Sequence, residues 1–367
     1  MAANVADPSR ILSIQSHVVS GYVGNRSATF PLQLLGWDVD VTNTVQFSNH
    51  TGYGRWGGLR FDAEHLQTLF DGLEQNGLLR YSRMLTGYMP SATVVQVVLG
   101  LVKKLRSRQE GGEEGGLIYL LDPVMGDMGR GMYVAPEVLP IYREMLQYAT
   151  IITPNQFEAQ ALTGMDIVDL PSLKQVILTL HRKHKVPHVI ITSIELPDAD
   201  LAAIGAHKSL ADGRPAMLQV GSSCDIAVDA SGERQQPSIT ADELHIWSIQ
   251  FPEVQGYFSG VGDMFAALTL GRFHPEPPSA QSNSTTAKPL TPIAKASELA
   301  IASLQGILSN TCRVIDQLEK ELKPAAAAVD EAQERVDRMR RRELRVVQSR
   351  REIEAPTIVY RARWISG

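Results

Sequence analysis

Short β-rich runs alternate with segments of helical period along nearly the whole chain, and that alternation most narrows the fold. Runs at 10–15, 37–47, 84–87, 117–121, 150–153, 188–192, 217–220, 244–251 and 344–347 read as strands. Segments 63–76, 91–108, 136–148, 156–163, 172–185, 262–272 and 297–322 read as helices. A strand that reaches the next strand through a helix pairs with it in parallel, which predicts an α/β fold: a mostly parallel sheet covered by helices on both faces. No internal repeat interrupts the pattern. With 367 residues, 44% of them hydrophobic, the chain can build one large core or two modest ones.

Composition excludes some partners. The formal net charge of −5 gives no global positive field to recruit nucleic acid or an anionic membrane, so any phosphate must be bound locally. Cys224 and Cys312 are too few for a disulfide scaffold or a cysteine zinc site. Residues 1–10 lack the apolar core of a signal peptide, and 92–102 is too short to span a bilayer. The cytoplasm is therefore the expected compartment, with diffusion into the nucleus left open. Segments 110–116, 196–213 and 276–296 read as surface insertions, the last a flexible one rich in Pro, Ser and Thr. The basic region 335–351, with Arg338, Arg340, Arg341 and Arg342, reads as a solvated helix face.

Polar residues fall where the predicted strands end. Ser16, Asn49-His50-Thr51, Tyr88, Asp122, Asn155 and Ser193 each follow one run. In an open α/β sheet, loops and helix N-termini gather outside the carboxyl ends of the strands and line the ligand crevice. Any one of these residues could be a local turn or cap; six together describe one site. A glycine loop joins them: Gly256-Tyr-Phe-Ser-Gly260-Val261-Gly262-Asp263 runs directly into a small-residue apolar helix. Backbone amides at 260, 261 and 262 can converge on an anion at the positive end of that helix. Asp263 stands beside it, either as a helix-capping acid or as a base for an attacking hydroxyl. Its place at a helix N-terminus predicts a lowered pKa.

These residues resemble the pyridoxal kinase family of the ribokinase-like superfamily. The resemblance runs through Leu12-Ser13-Ile14-Gln15-Ser16-His17-Val18, Gly21-Tyr22-Val23-Gly24-Asn25-Arg26 and Val45-Gln46-Phe47-Ser48-Asn49-His50-Thr51-Gly52-Tyr53. It continues through Leu85-Thr86-Gly87-Tyr88, Asp122-Pro123-Val124-Met125-Gly126-Asp127, Ile151-Ile152-Thr153-Pro154-Asn155-Gln156-Phe157-Glu158, Ile191-Thr192-Ser193, the glycine loop and the tail from Leu344 to Ser349. It implies one ribokinase-like domain over 10–361, a three-layer α/β/α sandwich with a central mostly parallel sheet, preceded by a tail at 1–9. It also implies ATP-dependent phosphorylation of the 5′-hydroxymethyl group of pyridoxal, pyridoxine and pyridoxamine. On the vitamer side it implies Ser16, His50, Thr51 and Tyr88 around the ring, Val23 and Phe47 as walls, and Asp263 at the reacting hydroxyl. On the nucleotide side it implies Asp122, Thr153, Asn155, Glu158, Thr192 and Ser193 around phosphate, Val254, Phe258 and Leu304 around adenine, and a short flap carrying Asp127 and Tyr133. Asp122, Asn155 and Glu158 would hold Mg2+ or another divalent cation, K+ remains an open addition, and the assembly would be a homodimer.

One position departs from the family's pattern: Val261 stands where many members carry Thr, so only its amide is available to phosphate. Two other readings are a ribokinase-like kinase for another small molecule, such as hydroxymethylpyrimidine, and a vitamer-binding protein without catalysis. A dinucleotide-dependent oxidoreductase is disfavoured, since no Gly-x-Gly-x-x-Gly follows the first strand.

Overall fold

The computed structural model describes residues 7–109, 116–229, 233–275, 289–321 and 330–365. Strand β1 (Asp7–Val18) leads to helix α1 (Asn25–Leu34), β2 (Asp38–Phe47), β3 (Gly58–Arg60) and α2 (Ala63–Gln75). There follow β4 (Tyr81–Thr86), α3 (Ala92–Gln109), β5 (Ile118–Leu121), the hairpin strands β6 (Gly126–Asp127) and β7 (Gly131–Met132), and α4 (Val138–Met145). Next come β8 (Ile151–Ile152), α5 (Gln156–Thr163), α6 (Leu170–Arg182), β9 (His188–Ile194), α7 (Asp198–Ala203), β10 (Ala216–Ser223) and β11 (Ile246–Pro252). Helices α8 (Val261–Arg272), α9 (Pro292–Glu321), α10 (Glu331–Arg341) and α11 (Arg350–Glu354) precede β12 (Arg363–Trp364).

Ten strands form one sheet in the order β12-β11-β10-β9-β8-β5-β4-β1-β2-β3. From β9 across to β2 every pairing is parallel. Strands β3, β10 and β12 run against their neighbours, so β11 shares the direction of β9. Successive strand residues feed opposite cores. Leu12, Met84, Tyr119, Leu121, Ile152 and Ile191 pack with Leu66 of α2, Val95 of α3, Tyr142 of α4 and Leu173 of α6. Ile11, Leu85, Leu120, Ile151 and Ile190 pack with Leu32 of α1, Leu268 of α8 and Ile301 of α9. Burial on both faces is why these strands read as continuous apolar runs.

The expected α/β/α sandwich is therefore present, with local differences. Segment 344–347 is not a strand. Leu344 and Val346 are buried in the second core, in a turn that passes into a single 3₁₀ turn at Val347–Ser349, and their alternation reflects packing of irregular backbone. Helix α1 had no sequence signal because Pro31 lies inside it. Helix α9 begins at Pro292, within the segment expected as an insertion; proline suits a first helical position, where its missing N–H leaves no bond unmade. Residues 276–288 and 110–115 of the expected insertions lie outside the described residues. Segment 196–213 contains α7, β1 starts at Asp7 inside the expected tail, and β12 lies beyond residue 361.

Candidate active site

The carboxyl ends of β1, β2, β4, β5, β8, β9 and β11 open on one edge of the sheet, and the sequence-derived residues gather there. Ser16 sits within β1 where the register with β2 slips, Thr44 of β2 being the unpaired extra residue. His50 and Thr51 follow β2, Tyr88 follows β4, Asp122 follows β5, and Thr153 and Asn155 follow β8. Thr192 and Ser193 lie in the last turn of pleat of β9, and the glycine loop follows β11.

On the β1–β2 side, Val18, Val45 and Phe47 form a small apolar cluster apart from both cores, with Val23 and Tyr88 packed against it. Val23, Phe47 and Tyr88, three of the expected ring contacts, thus share one wall. Trp56 extends it, its ring centroid 6.4 Å from that of Phe47 and its side chain 44% exposed. An isolated tryptophan in a polar loop carried no sequence signal. Thr51 is exposed in a single 3₁₀ turn at the rim.

Helix α8 brings the acid to this wall. Gly260 caps the helix at φ 81°, a left-handed conformation natural to glycine, and a Cβ there would lie 1.9 Å from the carbonyl oxygen of Tyr22. The two loops therefore touch backbone to backbone. Next to that contact the Gly24 amide donates to Asp263 Oδ2 at 2.7 Å. A Cβ on Gly262 would meet nothing within 4 Å, so this stretch of backbone faces open space. Val261 packs against the second core. Burial raises the Asp263 carboxyl above the usual range, with the Gly24 amide pulling it down. The lowered pKa expected from the helix terminus is thus reversed, because desolvation outweighs the dipole.

Across the crevice Asp122 is 6% exposed. Burial, then the charges of Glu158 and Asp263, hold its carboxyl well above the normal range, while Thr153 acts in the opposite direction. Asn155 and Glu158, expected as metal ligands, have their polar atoms engaged elsewhere. The Asn155 side chain accepts from the Glu158 amide at 2.9 Å and donates to the Gly126 carbonyl at 2.8 Å. Glu158 accepts from the amides of Asn155 at 3.0 Å and Met125 at 2.9 Å. Together they form a capping box at α5 that also fastens the strand-end loop carrying Gly126. Burial still raises Glu158 to about 7, against the pull of those amides. Among the described residues no group of three or more His, Cys, Asp or Glu could by itself hold a metal ion.

The β6–β7 hairpin carries Asp127, and Tyr133 follows it, half exposed. Arg130 at the hairpin tip lies over the Tyr257 ring at 4.4 Å, so the expected short flap reaches the glycine loop. Val254 and Phe258 pack against the second core that contains Leu304 of α9. One residue had no sequence signal at all. Glu343, just beyond α10, accepts from the Tyr22 amide at 3.2 Å and the Tyr53 hydroxyl at 2.9 Å, and lies 3.2 Å from His50 Nε2.

The phosphomethylpyrimidine kinase family matches the chain over residues 83–214. Cattle pyridoxal kinase is 37% identical over 358 residues, covering 96% of this chain and 97% of the relative. Pyridoxal kinase of Arabidopsis thaliana is 35% identical, covering 97% and 95%. Among solved structures, pyridoxal kinase from Leishmania donovani in complex with ADP and pyridoxamine superposes with a TM-score of 0.71 at 30% identity, over 98% of this chain and all of that one.

Proposed function

The chain belongs to the pyridoxal kinase family, and from that premise we propose how its strand-end crevice carries out ATP-dependent phosphorylation of the B6 vitamers. The acceptor is the 5′-hydroxymethyl group of pyridoxal, pyridoxine or pyridoxamine, and the products are the vitamer 5′-phosphate and ADP. The observation that carries the reading is the clamp on Asp263, whose carboxylate is fixed by Gly24 beside open glycine backbone at the head of α8.

The vitamer ring lies against Val23, Phe47 and Tyr88, with the hydroxyls of Ser16 and Thr51 as polar contacts. The amides of Gly260, Val261 and Gly262 face the terminal phosphate of ATP, where the helix dipole favours negative charge. Asp263 accepts the proton of the hydroxymethyl group as its oxygen bonds to phosphorus and the bond to the ADP oxygen breaks. In a loose transition state that proton leaves late, so a carboxylate is base enough, and the raised pKa makes it a better one. Thr153, Thr192 and Ser193 border the phosphates, and Val254, Phe258 and Leu304 the adenine. The hairpin carrying Asp127 and Arg130, followed by Tyr133, covers the site and limits access of water to the transferring group.

Asp122 suits a divalent cation such as Mg2+, since the charges of Glu158 and Asp263 bear on its buried carboxyl, and a cation bound there with ATP oxygens would offset charge at the phosphoryl group. The chain acts as one domain on small molecules, as a homodimer in the cytoplasm. Among the described residues no helix is long and apolar enough to cross a membrane.

The test is ATP consumption by the purified protein against a panel of pyridoxal, pyridoxine, pyridoxamine, hydroxymethylpyrimidine and a sugar, with and without Mg2+ and K+. Mg2+-dependent formation of vitamer 5′-phosphate is expected. Turnover of hydroxymethylpyrimidine alone, or vitamer binding with no ATP consumption, would overturn the reading.

A further inference from the structure

Ser259 and Glu343 contact opposite ring nitrogens of His50, which links the glycine loop to the segment after α10. Ser259 Oγ is 3.1 Å from His50 Nδ1, and His50 Nε2 is 3.2 Å from Glu343 Oε1. The His50 and Glu343 side chains are only 9% and 11% exposed, so solvent has little access to these contacts. The carboxylate can only accept, so the His50 tautomer with its proton on Nε2 suits Glu343, and in that tautomer Nδ1 accepts from the Ser259 hydroxyl. Ser259 precedes Gly260 of the anion-binding loop, His50 precedes Thr51 at the vitamer rim, and Glu343 comes from the far end of the sequence, 321 positions from Tyr22. The same Glu343 also takes the Tyr22 amide and the Tyr53 hydroxyl, and α10 adds a bond from Arg335 Nε to the Gly52 carbonyl at 2.8 Å.

We propose that Glu343, acting through His50 and Ser259, is a positioning residue that holds the acceptor loop and the phosphate loop in reacting register. The proposal rests on the kinase reading above. Each substrate has its own half of the crevice, so loosening the link leaves both bound but misaligned, and a misalignment of about 1 Å can cost ~100-fold in rate. The effect therefore falls on kcat rather than on KM.

The test is steady-state kinetics on the wild type, Glu343→Gln, Ser259→Ala, Ser259→Thr and the Glu343→Gln/Ser259→Ala double variant. Glu343→Gln and Ser259→Ala should each lower kcat about 10-fold or more, with KM for ATP and pyridoxal within about 3-fold of wild type. The double variant should fall no further than the worse single, since the two residues meet only through His50. Ser259→Thr keeps the hydroxyl and should stay near wild type. Additive losses, losses confined to KM, or a Thr variant as impaired as the Ala variant would overturn the proposal. If Glu343→Gln fails to fold, the two Ser259 variants decide by themselves. A wild type inactive on vitamers defeats the kinase reading instead, and the same cycle is then run on whichever acceptor of the panel it does phosphorylate.

Discussion

At residue 263 two influences oppose each other. The head of α8 and the Gly24 amide favour the carboxylate, burial disfavours it, and burial is the larger. Asp263→Asn keeps the shape and an oxygen for the Gly24 amide but cannot take a proton. It should lower kcat by ~10² to 10⁴ while pyridoxal binding, read by titration of the vitamer's absorbance, stays within a few-fold. Turnover close to wild type would reject Asp263 as base. Val261 behaves differently, because its side chain, partly buried, packs against the second core. Val261→Thr should change kcat by less than about 3-fold and lower the melting temperature only slightly, since a hydroxyl there trades apolar contact with the second core for partial exposure.

Among elements, the turn into α8 separates two glycines with opposite duties. Gly260 is strained for any other residue and abuts Tyr22; Gly262 is helical and open. Gly260→Ala should therefore destabilise the protein by a few kcal/mol and abolish activity by parting the Tyr22 loop from α8. Gly262→Ala should melt at or above the wild-type temperature, because alanine is the better helix former, yet raise KM for ATP as its methyl enters the anion site. Thermal melts and ATP titrations on the pair distinguish the two roles, and equal losses of stability would contradict it. The same local chemistry explains what could be read from sequence. The doubly buried strands and α5, with Asn155 and Glu158 at its start, announce themselves over a few residues. Helix α1 does not, since Pro31 masks it, and 344–347 imitates a strand because it is packed like one. The Asn155 and Glu158 pair was legible as a motif but ambiguous in role, since a capping box and an oxygen ligand set use the same residue types.

Across the whole molecule, the residues that could be found from sequence are those whose position depends on one strand end. Glu343, which could not, depends on segments meeting from distant parts of the chain, and Trp56, close to Phe47 in sequence, lies in a polar loop with no pattern to mark it. Acid stability is likewise a property of the folded whole, and α6 and β9 supply its clearest handle. His181 is fully buried, its Nδ1 bonds the Val186 carbonyl at 2.7 Å, and among the described residues its Nε2 has no hydrogen-bond partner. Burial lowers it to about 4, and neighbouring His188 is lowered as well, to about 3. Both are neutral when folded, whereas the unfolded chain takes up protons near pH 6.5. Between about 6.5 and 4 the unfolded state binds more protons, so this stabilisation is complete above pH 6.5 and lost as pH falls, by ~3 kcal/mol for His181. Glu158 acts oppositely: raised to about 7, it favours the fold below about pH 4.5, and that contribution fades as pH rises toward 7. The net slope mixes the two, and a single substitution isolates one. His181→Asn retains a donor for the Val186 carbonyl and cannot charge. Urea unfolding at intervals from pH 7.5 to 4.5 should show its stability falling less steeply with acid than wild type, by up to one proton. Parallel curves would mean that His181 does not titrate on unfolding.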